Sequence, residues 1–313
     1  MRNPSSPADQ TDRTREILAK VREVELRTRR LVDETMAGQY ESVFKGRGMD
    51  FDRVRGYVRG DEIRTIDWNV TARTGEPHVK LFTEERELTT MLMIDLSASS
   101  DFGSTDQSKR ELAAEVASVL AFSAVRNNDK VGLLLFTDQV ELYIPPASGR
   151  RHILRVIREI LFFEPKRTGT DLGVALDFIN RVLHRRAITF LLSDFCLRGD
   201  QETSLNALRP KLRSTCRSHD LVAFAVNDRH EEELPDIGIL NIEDAESGEL
   251  VSINTRRRGV REAFAREASE RRDRVRKTFA GNGIDFLELK TGESYLPALR
   301  RFFQSRESRF VTT

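Results

Sequence analysis

In the run Met91-Leu92-Met93-Ile94-Asp95-Leu96-Ser97-Ala98-Ser99, an apolar strand pattern gives way to one carboxylate and two hydroxyls at alternate positions. Residues two apart in an extended segment project to the same side, so Asp95, Ser97 and Ser99 can converge on one point at the strand's carboxyl end. All three offer oxygen, the ligand type of magnesium or calcium. The same residues also describe a strand running into a Ser-rich turn that caps the next helix. Two later stretches bear on that choice. Thr168-Gly169-Thr170-Asp171-Leu172 is a polar turn directly before a helical pattern, where Thr170 presents a hydroxyl or caps the helix. Ile188 to Asp194 is a second apolar strand ending on a carboxylate.

In this order, with a helix-length segment between them, Asp95, Ser97, Ser99, Thr170 and Asp194 resemble the metal-ion-dependent adhesion site of von Willebrand factor type A domains. That site is an Asp-x-Ser-x-Ser, then a Thr in a second loop, then an Asp in a third. The resemblance implies a bound Mg2+, or another divalent cation such as Mn2+ or Ca2+, with Asp194 acting through a water. Only Asp95 and Asp194 in this set carry charge. A cation so incompletely neutralised would attract an Asp or Glu carboxylate from a partner protein, which makes a metal-bridged docking point. Occupancy then switches affinity, provided the metal-bound state binds the partner better.

Composition sets wider bounds. The 313 residues allow one large or two modest domains and a substantial core. Lys and Arg together number 51 against 50 Asp and Glu, a net charge of +1, so no global field marks the chain for nucleic acid or membrane. The two cysteines, Cys196 and Cys216, lack metal-type spacing and give no disulfide framework, which fits a reducing compartment. The start, Met1 to Arg15, is polar without the basic-then-apolar layout of a secretory signal, and no window approaches the roughly 18 apolar residues of a membrane span. A cytoplasmic protein with no integral membrane segment is expected.

The strands must be placed by a regular alternation. Strand-like runs at Met91 to Leu96, Val131 to Thr137, Ile188 to Ser193, Leu221 to Val226 and Ile284 to Leu289 are separated by helix-like segments at Ser108 to Arg126, Arg151 to Phe163, Leu172 to His184, Ser204 to His219 and Val260 to Ala280. Several of these strands are continuously apolar, as in a mostly parallel sheet covered on both faces. Val140 to Ile144 alternates instead and predicts an antiparallel edge strand. The expected fold is α/β, a doubly wound sheet, whose ligands sit outside the carboxyl ends of strands. Upstream, Thr14 to Gly38 reads as an amphipathic helix, and Tyr40 to Glu87, punctuated by Gly46, Gly48, Gly56, Gly60 and Gly75, as short strands and turns. The expected organisation is a disordered start at 1–13, an N-terminal helix with a β-rich segment at 14–87, the main domain at 88–305 and a tail at 306–313.

The stretch Gly56-Tyr57-Val58-Arg59-Gly60-Asp61-Glu62-Ile63-Arg64-Thr65-Ile66-Asp67-Trp68-Asn69-Val70-Thr71-Ala72-Arg73, followed by Val79-Lys80-Leu81-Phe82 and Glu84-Glu85, resembles the signature of the domain of unknown function 58 family. The resemblance runs from about Phe44 to beyond Asp194. It implies a von Willebrand type A-like domain after this segment and a cytoplasmic or membrane-tethered accessory protein of a kind often associated with MoxR-type AAA+ ATPases. Here Ser100 stands where relatives often have Met.

Other chemistries fit less well. A magnesium-dependent phosphoesterase of the haloacid dehalogenase kind would need an acid two residues after the strand-end Asp, where this chain has Ser97, and two-metal hydrolysis needs more carboxylates than Asp101 and Asp171 supply. No Walker loop, His-Glu helix motif or Gly-x-Ser-x-Gly elbow occurs. A nucleic-acid reading rests on the Arg-rich stretch from Arg256 to Lys277, yet Glu262, Glu267, Glu270 and Asp273 stand at ion-pair spacing on the same helix. Trp68, among Asp67, Arg64 and Arg73, is expected as a structural aromatic beneath ion pairs. Asp61, Arg64, Asp67 and Arg73 either knit the N-terminal strands onto the main sheet or form a partner surface. The sequence thus predicts a non-catalytic interaction module holding a divalent cation.

Overall fold

Continuous apolar runs two or three residues longer than a turn, each followed by an amphipathic segment, leave the backbone little choice but a covered sheet. The computed structural model describes residues 17–28, 32, 40, 49–84, 87–197, 199–243 and 250–311. The expected disordered start at 1–13, most of the expected helix beyond 28, Phe44, Gly46, Gly48, Glu85 and residues 312–313 lie outside them.

Residues 17–28 form helix α1, with Val21, Val24, Glu25 and Thr28 buried at the i, i+3, i+4, i+7 spacing of one face. The two valines join the core of the main domain. Glu25 accepts from Arg150 at 2.6 Å, and Arg27 reaches Glu115 at 2.9 Å. The amphipathic stripe therefore covers the main domain.

Strands β1 (Met49–Gly56) and β2 (His78–Glu84) pair antiparallel as a separate two-stranded arm. The chain between them makes helix α2 (Trp68–Thr74), not only the expected strands and turns. Asp67 explains it: its Oδ1 accepts the backbone N–H groups of Asn69 and Val70, and Gly75 ends the helix at φ 79. Asp61 binds Arg55 bidentately at 2.7 Å, and Asp67 faces Lys80 at 3.7 Å, so these carboxylates knit the arm to itself and not to the main sheet. Trp68 is 67% exposed, which corrects the expectation of a packed aromatic beneath ion pairs: placed at the first position of a surface helix, its ring has no core to enter.

The main sheet follows the expected scheme. In chain order the elements are β3 (Thr89–Asp95), α3 (Lys109–Arg126), β4 (Lys130–Phe136), β5 (Val140–Ala147), α4 (Arg150–Phe162), α5 (Leu172–Val182), β6 (Ile188–Ser193), α6 (Gln201–Ser218), β7 (Asp220–Asn227), α7 (Arg229–Glu232), β8 (Ile239–Glu243), β9 (Leu250–Asn254), α8 (Arg258–Ala280), β10 (Asp285–Lys290) and α9 (Leu296–Val311). The six strands lie in the order β10-β7-β6-β3-β4-β5, parallel throughout except for β5, which closes one edge antiparallel to β4. Counted along the sheet this is the doubly wound order, and the winding reverses between β3 and β6.

Alternation within each buried strand feeds two cores. Leu92 and Ile94 of β3 face the layer of α3, α4 and α9, whereas Met91 and Met93 face α5, α6 and α8. Two elements fall outside the expected alternation. The hairpin β8–β9 forms its own small sheet, with Ile239 and Leu250 each 72% exposed. Helix α9 carries on through the segment expected as a tail from 306 and buries Leu299, Phe302, Phe303 and Arg306 on one face. Among the described residues, no helix is long and apolar enough to cross a membrane.

Candidate metal centre

Asp95 ends β3 at the centre of the sheet, and Asp194 follows β6 immediately beside it, so both carboxylates stand at the point where the winding reverses. Asp95 is buried, its Oδ1 accepting the backbone N–H of Ser97 at 2.9 Å and its Oδ2 the hydroxyl of Ser193 at 2.6 Å. The Asx turn on Asp95 bends the chain as it leaves the strand. Ser97 and Ser99 then bring their hydroxyls to 3.1 Å from each other, and the Ser99 hydroxyl helps hold the Asp194 carboxyl in its charged form. Asp95, Ser97, Lys109, Ser193 and Asp194 line a common small cleft of about 20 Å³.

Thr170 is placed differently. Its loop is tied to the first one by the Ala98 N–H donating to the Thr168 carbonyl at 3.0 Å, but Thr170 borders a neighbouring depression with Asp138 and Lys211. The helix cap that Thr170 could have been is Asp171, whose Oδ1 accepts from Gly173 at 2.8 Å and Val174 at 3.3 Å. The Thr170 hydroxyl is buried and has no hydrogen-bond partner. Four of the five expected residues thus meet, and the fifth stands beside them with its oxygen unused.

Two residues of the centre carried no motif signal. Lys109, 2% exposed, places its Nζ 2.7 Å from Asp194 Oδ2 and 2.5 Å from Glu231 Oε1. Lys109 opens helix α3, where the helix dipole disfavours a cation. That local anomaly was the available sequence signal. Glu231 lies 122 residues downstream and is unreachable by spacing. It is held in a capping box with Asp228, whose backbone N–H it accepts at 3.1 Å.

The charges are unevenly shared. Burial and the neighbouring Asp194 push the Asp95 carboxyl up to about 7, against the hydrogen bonds from Ser193 and Ser97. Burial also opposes the charge of Asp194, but the Lys109 ammonium outweighs it and brings that carboxyl below its ordinary range. For Lys109 burial is likewise overcome, by Asp194 and Glu231 together, and its pKa rises. Burial raises Glu231 despite the ammonium beside it.

This donor set fits a hard cation. Two hydroxyl oxygens 3.1 Å apart match adjacent corners of an octahedron; metal–oxygen bonds of about 2.0–2.1 Å put such corners roughly 3 Å apart. A carboxylate whose ionisation is opposed by its surroundings is one that a divalent ion would favour. Among the described residues, no group of three or more His, Cys, Asp or Glu side chains is placed to hold a metal, so a cation here depends on hydroxyls and water.

The backbone after Asp194 is strained into place. Phe195 has φ 54, in the left-handed region, and is 2% exposed, with its ring 4.9 Å from that of Phe279 and 5.6 Å from that of Phe286. Its N–H donates to Ser193 at 2.9 Å, and that of Cys196 donates to Asp194 Oδ1 at 2.9 Å, so the turn fixes the carboxylate. Phe195→Ala should cost about 3–5 kcal/mol of stability through the lost ring. Phe195→Gly should cost about 1 kcal/mol less than Ala, the reverse of the usual order, since it also relieves the left-handed strain. Urea denaturation of the two variants tests this order.

Asp228 braces the same region from β7. It accepts from Ser104 N at 2.9 Å, Thr291 Oγ1 at 2.5 Å and His230 N at 2.8 Å. Burial works against its charge, but these donors hold its carboxyl down to about 2 from an ordinary 3.8. Between those values the unfolded chain binds the proton and the native one does not. The contribution is therefore complete above about pH 5 and lost as the pH falls through about 2. Asp228→Ala should destabilise by about 3 kcal/mol near neutrality, and the gap to wild type should narrow from about pH 5 to about pH 2 in urea titrations.

Comparison with known proteins gives consistent matches. The family model described as protein of unknown function DUF58 matches residues 53–274. The uncharacterized protein Rv1480 of Mycobacterium tuberculosis (strain ATCC 25618 / H37Rv) is 34% identical over 294 residues, covering 93% of this chain and 90% of that protein. Among solved structures, an aerotolerance-related membrane protein from Bacteroides fragilis aligns at 16% identity with a TM-score of 0.44, over 71% of this chain and 99% of that one. The SpRpn10 VWA domain aligns at 14% identity with a TM-score of 0.36, over 70% of this chain and 95% of that one.

Proposed function

The chain belongs to the DUF58 family and has a VWA-like fold, and on that premise we propose that it is a non-catalytic interaction module that holds a divalent cation and docks a partner's carboxylate on it. The observation that carries this reading is the meeting of Asp95, Ser97, Ser99 and Asp194, all oxygen donors, at the carboxyl ends of adjacent strands. Asp95, Ser97 and Ser99 would hold the ion directly, Thr170 would complete the set from the adjoining loop, and Asp194 would act through a water. Mg2+ suits such a set, since it keeps several waters and tolerates few protein ligands; Mn2+ and Ca2+ are alternatives. When bound, the ion supplies a Lewis-acidic position open to an incoming Asp or Glu.

A hydrolytic reading gains no support from the neighbourhood. The amine nearest the carboxylates, Lys109, is engaged by two of them, and Ser97 stands where a phosphotransferase would place its acid. Several arginines of α8 are spent on ion pairs, among them Arg258 with Glu262 at 2.7 Å, Arg261 with Asp236 at 3.1 Å, and Arg272 with Glu232. The partner class we propose, a MoxR-type AAA+ ATPase, comes from the family resemblance.

The test is affinity retention from native lysate by the wild type and Asp95→Asn, each in magnesium and in chelator. Recovery of an AAA+ ATPase by the wild type in magnesium alone is the expected result. Equal recovery under all four conditions would sink the metal-bridged reading and move the interface to the arm or to α8.

A further inference from the structure

The buried ammonium at the candidate centre is the feature that the docking reading does not use. An ion site built only from oxygen donors would leave Asp95 and Asp194 facing each other without compensation when no ion is bound. Here Lys109 supplies a fixed positive charge, bonded to Asp194 at 2.7 Å and to Glu231 at 2.5 Å and shielded from solvent at 2% exposure. The ammonium has three donors and two carboxylate partners. It can therefore give up one partner and keep the other.

We infer that Lys109 sets the cation affinity of this site, its ammonium competing with a divalent ion for Asp194, and that Glu231 is the carboxylate that retains the ammonium when the ion is bound. The inference rests on the proposed metal-dependent docking. It goes beyond it in assigning a regulatory exchange to two residues outside the ligand set. Both are positioning residues, since they act through Asp194.

The geometry explains why the exchange is available. Glu231 is fixed from behind by the Asp228 backbone N–H at 3.1 Å on its other oxygen, so it offers the ammonium a stationary alternative. Asp228 in turn ties β7 to the Ser104 loop that leads into α3 and so to Lys109 itself. The ammonium is thus held between two carboxylates whose positions are set by different parts of the fold. With the ion absent, the ammonium offsets part of the carboxylate charge, so the site should depend less on metal for folding than small metal-nucleated domains do. With the ion present, electrostatic repulsion between the ion and the ammonium weakens binding, which places the threshold at a higher ion concentration.

The two residues must then act with opposite sign. Lys109→Met removes the competitor, and Mn2+ should bind about tenfold more tightly. Glu231→Gln removes the alternative partner, leaves the ammonium wholly on Asp194, and should weaken Mn2+ binding by about threefold to tenfold. Lys109→Arg keeps the charge and should stay within about threefold of wild type. A purely structural role would weaken binding in every variant.

The experiment is calorimetric titration of the full chain with Mn2+, alongside the Mn2+ spin-resonance signal as a second readout of bound ion, on wild type, the three variants and Asp95→Asn. Tighter binding by Lys109→Met with weaker binding by Glu231→Gln supports the exchange. Binding lost in Asp95→Asn but unchanged or weakened in Lys109→Met overturns the exchange and leaves the metal site standing. No Mn2+ binding by wild type, Lys109→Met or any other variant overturns both. Should Lys109→Met fail to fold, Glu231→Gln decides: weaker binding with Lys109→Arg near wild type supports the exchange, and unchanged or tighter binding overturns it.

Discussion

Arg306→Met should cost the fold about 3–5 kcal/mol, because it removes a buried guanidinium from two largely buried carboxylates at once. Arg306 Nε donates to Asp285 Oδ2 at 2.6 Å and Nη2 donates to Asp220 Oδ1 at 2.6 Å, with side-chain exposures of 7%, 13% and 15% for the three residues. Asp220 opens β7 and Asp285 opens β10, so one guanidinium on α9 fastens the amino ends of two neighbouring strands. The group also lies 5.5 Å from the centre of the Phe302 ring. Met fills the aliphatic volume but takes away the guanidinium's charge and its hydrogen bonds to both carboxylates. A melting temperature lower by roughly 10 °C is the expected readout for a domain of this size. Adding Asp220→Asn and Asp285→Asn to Arg306→Met should return most of the loss, since the cost lies in the carboxylate charge that the guanidinium had offset. If the triple variant is no more stable than Arg306→Met, packing of the arginine stem and not charge holds α9 in place.

That cluster also marks where sequence reading stops. The strands β3, β4, β6 and β7 were legible because a strand buried on both faces must be apolar at every position, and Met91 to Ile94 or Leu133 to Phe136 have no other reading. The alternation of Val140 to Ile144 marked the one antiparallel edge. Asp95 and Asp194 could be placed at strand ends, and their convergence follows from the strand order. Charged residues inside the protein were not legible in this way. Arg306 and Lys109 carry little local mark of burial, and tertiary partners 21 to 122 residues away, among them the part-exposed Glu231, hold them inside. Trp68 errs in the opposite direction: a large aromatic reads as core, but the arm that carries it belongs to neither of the two main cores. The cap of α5 fell to Asp171 because the helix starts at Leu172, one residue further on than a Thr170 cap would place it, and pattern does not fix a helix start to the residue.

Asp95→Asn should lower affinity for Mg2+ or Mn2+ by about 100-fold or more while leaving the metal-free fold at least as stable as wild type. The two halves of that expectation come from the same feature. Burial and Asp194 both oppose the charge of Asp95, so the carboxylate is a burden in the metal-free chain and the natural seat for a divalent ion. Asn keeps an acceptor for the Ser97 N–H and a polar partner for Ser193, so the turn survives without the charge. Thr170→Val sharpens the argument. Its hydroxyl is buried and unpartnered, so its removal should leave the metal-free stability unchanged or raise it by up to about 1 kcal/mol. Metal affinity should nevertheless fall by about tenfold if that oxygen serves the ion. Thermal melts in chelator and calorimetric titrations with Mn2+ separate the two effects. A Thr170→Val chain that binds the ion as wild type does would remove the second loop from the site and leave a cation held by the first and third loops alone.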